Sequence, residues 1–344
     1  MSSKDPNDLL FAFDSSVSPS ELHPFAPGEM VRCEECLRAN SPTRVACLYC
    51  GAALPATSVK TAAVQAAART PDQGEPAFNL ILTSGSTISD DSIEKAAAIL
   101  RLNANELTRI VQAEVALPVA RAASHEDAEE IKRALLEFGW QTQIVSDESL
   151  AIESSPQRRL RTVEIHPDHL VVYPTTGEEK HFAWTDLNLL ISARIFTTQV
   201  EVKERKRRGG SNSLLDSSET TADEAVLDLY TQNDAAGWRI LANNFDFSFL
   251  SKAKSLVAGE NFNFLLRSLR EHAPAAEFDD TYVGVRRSLE LVWPSPQQKS
   301  SRGWRRERAG KYSTNELAVT TNESQFTRYS RLRRLLKSAA KVAS

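Results

Sequence analysis

The stretch Val31–Pro55, VRCEECLRANSPTRVACLYCGAALP, says more about this chain than any other. Two Cys-x-x-Cys turns, Cys33-Glu34-Glu35-Cys36 and Cys47-Leu48-Tyr49-Cys50, are separated by ten residues, with Gly51 directly after the second. Each turn can aim two thiolates at one ion, and two such turns complete the closed tetrahedral sulfur set that zinc prefers. Gly51 tolerates the positive φ that such a turn often needs. A segment this short buries too little to fold alone, so metal binding is its folding energy, on the order of 10 kcal/mol or more. With protein in all four positions no place is left for water or substrate, and the site reads as structural. Iron in a four-thiolate site and a dithiol redox pair are the rival readings.

These 25 residues resemble a bacterial zinc ribbon, which implies one zinc held by Cys33, Cys36, Cys47 and Cys50. The chain has no other cysteine, whereas disulfide-built secreted domains spread theirs through the fold.

Working outward, 344 residues suit two or three domains, and 41% hydrophobic with 25% charged residues suits packed cores with polar connections. No apolar run approaches the ~20 residues of a membrane helix, and MSSKDPNDLLFAF lacks the basic-then-apolar pattern of a signal peptide. The expected location is the cytoplasm. Residues 1–28 read as a disordered lead-in, 29–55 as the ribbon and 56–76 as a linker.

Residues 77–150 predict a small βααβαβ sandwich. Phe78–Leu82 is its first strand. One helix runs from Asp90 to Arg101 with Ile93, Ala96, Ala97 and Leu100 inward, and a second runs over Asn103–Ala113. Ser124-His125-Glu126-Asp127 opens a third helix, Gly139 follows it, and Gln141–Val145 closes as a strand. The segments FNLIL, IEKAAAILR, ELTRIVQAEVALPVARAAS and HEDAEEIKRALLEFGWQTQIV together resemble the C-terminal domain of the bacterial ribosomal stalk protein. In that family a Gly- and Lys-bearing turn and helix recruit translation factors. The matching Leu102–Arg109 lacks those residues, so the fold carries over and the factor-binding surface does not.

From Leu160 the period changes to two. Strands at Thr162–Ile165, Leu170–Tyr173, His181–Trp184, Leu189–Lys203, Val226–Tyr230 and Trp238–Leu241 precede a helix over Leu250–His272, with Leu256, Phe264, Leu265 and Leu269 inward. The polar stretch 204–224 reads as a disordered loop. Residues 157–275, with Phe182–Leu187 and the closing helix, resemble a pleckstrin-homology-like domain, a class that binds phosphoinositides or peptides. The run Val202–Arg208 is either a phosphate-binding loop or a solvated charge run. No role is assigned to 276–294.

The fold class is therefore α+β multidomain, ending in a basic tail with an amphipathic helix at Glu323–Val342. Residues 295–344 hold twelve Lys and Arg against three acids, a balance of +9, which leaves −13 on the rest of a chain of net charge −4. Arg302, Arg305, Arg306, Arg308 and Lys311 lie among Trp304 and Tyr312, a mix suited to phosphate contact and base stacking. Farther on, Tyr329, Leu332, Leu336 and Ala339 form one helical face, opposite Arg331, Arg334, Lys337 and Lys341.

His166-Pro167-Asp168-His169 reads as a hairpin turn with no third ligand, and His181 and His272 as isolated. No Gly-rich phosphate loop, nucleophile elbow or HExxH motif is present. The expected function is thus a non-enzymatic adaptor contacting a protein partner. The alternative is a protein that binds nucleic acid, or another anionic surface, through its basic tail.

Overall fold

In the computed structural model the chain is a mixed α+β protein that divides into two units, Met1–Ala63 and Val64–Ser344. The structure describes residues 30–41, 44, 47–52, 54, 77–83, 88–151, 154–207, 213–232, 234, 236–301, 305–308 and 311–343. Of these, 203–207, 213–216, 305–308, 311–315 and 341–343 are described by their backbone alone. The lead-in 1–28 and the linker 56–76 lie outside the described residues.

In the first unit β1 (Val31–Arg32) pairs antiparallel with β2 (Ala39–Asn40). Val31, Cys33, Cys47 and Leu54 make its small core. Among the described residues these four side chains bury too little apolar surface to offset the ordering of the segment, which is why the sulfur cluster matters to the unit's stability.

The second unit begins with β3 (Phe78–Leu82), flanked antiparallel by β4 (Leu117–Ala122) and β5 (Thr142–Ser146). Short polar side chains start its helices. Ser89 accepts from the Ser92 N–H ahead of α1 (Asp90–Leu100). Asn103 accepts from Asn105 ahead of α2 (Ala104–Gln112), and Ser124 from Asp127 ahead of α3 (His125–Leu136). Ile93, Leu107, Ile110, Ile131 and Leu135 join Leu80 and Ile81 in the core.

Among the described residues the large sheet holds ten strands: β6 (Arg158–Ile165), β7 (His169–Pro174), β8 (Lys180–Ala183), β9 (Leu187–Arg207), β10 (Ser213–Thr231), β11 (Trp238–Leu241), β12 (Glu277–Asp279), β13 (Gln297–Ser301), β14 (Arg305–Arg308) and β15 (Lys311–Thr321). Their order is β13-β15-β9-β10-β11-β6-β7-β8, with β12 also beside β9 and β14 beside β15. The β11–β6 and β12–β9 pairings are parallel and the others antiparallel.

Successive residues Leu189, Leu190 and Ile191 are all buried because both faces of this sheet are covered. Leu190 packs with Leu227, Leu229 and the helix α4 (Ala258–His272). Leu189 and Ile191 pack on the other face with α5 (Tyr282–Leu289) and α6 (Glu323–Ala343). That second cluster runs without a break into the core around β3, so residues 77–150 and the large sheet share one interior. Trp293 Nε1 donates to Asn79 Oδ1 at 2.8 Å and Ser288 Oγ to Glu106 at 2.9 Å, across the same junction. Residues 276–294, left without a role by sequence, supply β12, α5 and the buried Trp293.

Three expectations are corrected. The stretch 204–224 is not a disordered loop where described: Glu219 faces Val200 and Thr220 faces Gln199 in a long β9–β10 hairpin, while β15 pairs with the other edge of β9. Backbone hydrogen bonds to neighbours on both sides hold a strand whose side chains carry no apolar pattern. Residues 295–344, read as a basic tail, are built into the fold. They add β13, β14 and β15 to the sheet, and α6 buries Phe326, Tyr329 and Leu332 completely. Finally, the closing helix begins at Ala258 and not at Leu250. Asn261 binds both backbone groups of Ser255 and stops the helix from extending backward, which leaves Leu256 and Phe264 exposed and turns Phe262, Leu265 and Leu269 inward.

Candidate metal centre

The two Cys-x-x-Cys turns are built alike. In the first, the Leu37 N–H donates to the Cys33 carbonyl at 2.9 Å and the Cys33 N–H to the Arg38 carbonyl at 3.0 Å. In the second, Gly51 donates to Cys47 at 3.0 Å and Cys47 to Ala52 at 2.8 Å. The fifth residue of each turn is left-handed, Gly51 at φ 75° and Leu37 at φ 57°.

The turns aim their sulfurs at one another. Cys33 Sγ lies 3.6 Å from Cys50 Sγ, Cys36 Sγ lies 3.4 Å from Cys47 Sγ, and all four are within 4.8 Å of each other. None forms a disulfide. A tetrahedral ion with metal–sulfur distances near 2.3 Å spreads its ligands roughly 3.8 Å apart, so the separations fit such an ion. Four sulfurs with no oxygen or nitrogen form a soft donor set.

Outer contacts orient the ligands. Asn40, itself buried, donates from Nδ2 to Cys47 Sγ at 3.5 Å and accepts the Leu48 N–H at 2.8 Å, while the Tyr49 N–H points at the same sulfur at 3.4 Å. Burial alone would raise the Cys47 thiol. The N–H groups of Tyr49 and Cys50, with Cys36 and Asn40, bring it down to about 6. At Cys50 the Ala52 N–H pulls downward, but desolvation and the other three sulfurs push the thiol up to about 12. The opposite shifts show that crowding the four sulfurs favours one thiolate at Cys47 and opposes charge at Cys50, the opposition that a bound cation would relieve.

Around this centre the unit exposes apolar side chains: Leu37 at 68%, Leu48 at 63% and Tyr49 at 53%, with the Arg38 guanidinium 4.6 Å from the Tyr49 ring centre. Leu48 and Tyr49 lie between ligands in sequence, where they could have been singled out. Leu37 lies at a position whose backbone would be given to glycine.

The other candidate residues are dispersed. Arg302 and Trp304 lie outside the described residues. Arg305, Arg306 and Arg308 form β14, and Lys311 begins β15. On α6, Arg331 is buried and donates to the Ser155 carbonyl, Arg334 donates to the Asp234 carbonyl at 3.0 Å, and Lys337 pairs with Glu277 at 2.7 Å. These three cations, offered by the sequence as contacts for an anion, are engaged by the chain itself.

The structure also gathers histidines that are apart in sequence. The His166 and His169 rings stack 4.4 Å apart, and His181, brought over by the β7–β8 pairing, lies 5.7 Å from His169. Each has a carboxylate beside it, from Glu164, Asp168 and Glu179. The His169 hydrogen bond holds Asp168 below the ordinary carboxylate range. Their ligand atoms do not converge: among the described residues, the four cysteines are the one group of three or more His, Cys, Asp or Glu placed to share an ion.

No helix among the described residues is long and apolar enough to cross a membrane. Comparison with protein-family models, with curated proteins and with solved structures finds no match for this chain.

Proposed function

We propose that this protein is a cytoplasmic, non-enzymatic adaptor whose Cys33, Cys36, Cys47 and Cys50 hold one structural zinc and whose ribbon surface contacts a protein partner. Zinc, when bound, cross-links the two turns; the chain's own residues do the recognising. The observation that carries this reading is Leu37. The fold would favour glycine there, as at Gly51, yet the position holds a leucine that is two-thirds exposed and outside the core formed by the described residues. A large apolar side chain kept in a strained, outward position is explained by contact with a partner.

Leu48 and Tyr49 extend the surface, and Arg38 stacked on Tyr49 gives it a cationic rim, an arrangement that suits an apolar pocket edged by carboxylates. The three-stranded sheet with α1–α3 supports reading 77–150 as a stalk-like sandwich. The β6–β7–β8 meander with α4 supports the pleckstrin-homology-like reading of 157–275.

The test is affinity capture with the full chain after nuclease treatment and at high salt, comparing wild type with Leu48→Ser/Tyr49→Ser. A protein partner retained by wild type and released by the variant, with metal content equal in both, is the expected result. Partners that vanish with nuclease and salt, or that the variant holds equally well, overturn the reading.

A further inference from the structure

Two basic runs about a hundred residues apart in sequence are neighbours in the sheet. The outer end of β9 reads Lys203-Glu204-Arg205-Lys206-Arg207, and it pairs with the start of β15, which in turn pairs with β14. In register, Arg207 stands opposite Lys311 and Lys311 opposite Arg308; Arg205 stands opposite Ser313 and Ser313 opposite Arg305; Lys203 stands opposite Asn315.

Strand positions alternate between faces, so residues in register and two apart belong to one face. Lys203, Arg205, Arg207, Lys311, Arg305 and Arg308 therefore share it. The acids placed with them are Asp216, opposite Lys203, and Glu201, two positions inward on β9. Glu204 falls on the alternate positions with Lys206, Tyr312 and Arg306, and Glu307 falls at the register irregularity between Arg306 and Arg308. Strands ~4.8 Å apart and residues ~3.3 Å apart along them spread these six cations over roughly 10 by 13 Å.

We propose that this face binds the phosphate backbone of a duplex nucleic acid. From Lys203 outward its described positions are cationic or short and polar apart from Asp216, and Leu317 falls inward of them opposite Glu201, so this outer end offers no apolar group to a protein groove or a lipid layer. Tyr312, the aromatic residue described on these strand ends, falls on the opposite face, whereas single-strand binders offer stacking platforms beside their cations. The cations cover an area three strands wide, which matches the two-dimensional array of phosphates on a duplex better than the single line on one strand. Arginine, four of the six, is the side chain suited to forked phosphate contact. The cations of α6 that the sequence offered for this role are already engaged by Ser155, Asp234 and Glu277.

The test is fluorescence anisotropy of the full chain with a labelled short duplex, the same sequence as a single strand, polyglutamate and anionic vesicles, across a salt series. Saturable duplex binding is expected, with a log–log salt slope of about −5 for six phosphates, hence roughly a thousandfold loss between about 50 and 200 mM salt. Arg205→Gln/Arg207→Gln and Arg305→Gln/Arg308→Gln should each flatten the slope by about 2. Lys337→Gln, on the helix, should leave it unchanged. Circular dichroism checks that each variant folds, and the β14 pair, at the sheet edge, stands in if the β9 pair does not. Absence of saturable duplex binding at low salt overturns the proposal. So does a slope that both pairs leave unchanged, or a preference for the single strand, polyglutamate or vesicles.

Discussion

Asp228 and Arg239 stand opposite each other on β10 and β11 and meet as a two-pronged ion pair, Nε to Oδ1 at 2.7 Å and Nη2 to Oδ2 at 2.8 Å, both sealed from solvent. Burial alone would lower the Arg239 guanidinium, but the Asp228 carboxylate raises it above its ordinary value. The pair also pins α6 to the sheet: Ser330 Oγ donates to Asp228 at 2.6 Å, and Arg239 reaches Thr327 at 3.0 Å and Glu323 at 3.3 Å. Removing one partner strands the other charge without water. Arg239→Met should therefore cost about 3–5 kcal/mol in urea unfolding, and Asp228→Asn added to it should recover part of that loss.

Three tyrosines are enclosed by the same packing. Tyr282 donates to Gln325 at 2.7 Å, Tyr329 to Asp279 at 2.8 Å, and Tyr230 lies 2.7 Å from Ser330. Burial first, then the charge of Asp228, pushes Tyr230 up to about 12; burial likewise raises Tyr282 and Tyr329. The fold keeps these phenols protonated while the unfolded chain ionises them near pH 10. Their contribution is constant below pH ~10 and is lost as pH rises through the folded values, by up to about 1.4 kcal/mol per tyrosine per pH unit. Absorbance titration should show these three ionising together with unfolding. Gradual titration of all six tyrosines of the chain near pH 10 in folded protein would contradict it.

Local features were legible in the sequence where one short-range force decides them. The cysteine spacing marked the four-sulfur cluster, and Ser124 before the third helix marked its cap. The large sheet was less legible because its pairing is remote: Lys311 meets Arg207, and Glu316 meets Val202, across more than a hundred residues. The outer ends of β9, β10 and β15 are joined by backbone hydrogen bonds and carry no apolar alternation, so composition alone suggested a loop. The apolar face of α6 was visible as Tyr329 and Leu332. What covers it was not, since β9, β10 and α5 converge there only in the folded chain.

Gly237 precedes β11 at φ 69°, and a Cβ built on it would collide with the Tyr230 ring, 2.8 Å from Cδ1. Tyr230 is fully buried and hydrogen-bonded, so its ring has no room to withdraw. Gly237→Ala combines left-handed strain with overpacking and should cost about 2–4 kcal/mol in thermal unfolding. A change within error of zero would mean the ring can move aside.

Loss of one cysteine should act on the first unit alone. Cys33→Ser or Cys50→Ser leaves three sulfurs, too few to close the cluster, and residues 31–54 should lose their protection from amide exchange while those of the second unit keep theirs. Wild-type protein, reduced and never exposed to chelator, should carry one zinc per chain and be colourless. Iron-coloured protein, or far less than one equivalent of metal, would contradict the zinc assignment.

Leu37 allows ribbon folding and ribbon recognition to be separated. A left-handed non-glycine residue costs about 1–2 kcal/mol, and glycine costs about 0.5–1 kcal/mol in extra unfolded-state freedom. With 68% of the leucine exposed, little packing is lost on its removal. Leu37→Gly should therefore tighten metal binding by a net ~0.5–1 kcal/mol, a few-fold in a chelator competition. The same variant should weaken the partner contact, because the side chain that it removes contributes to that surface and not to the fold. Weaker metal binding in Leu37→Gly would place Leu37 among the residues that fold the ribbon, and would remove the main reason for reading its exposed face as a contact site.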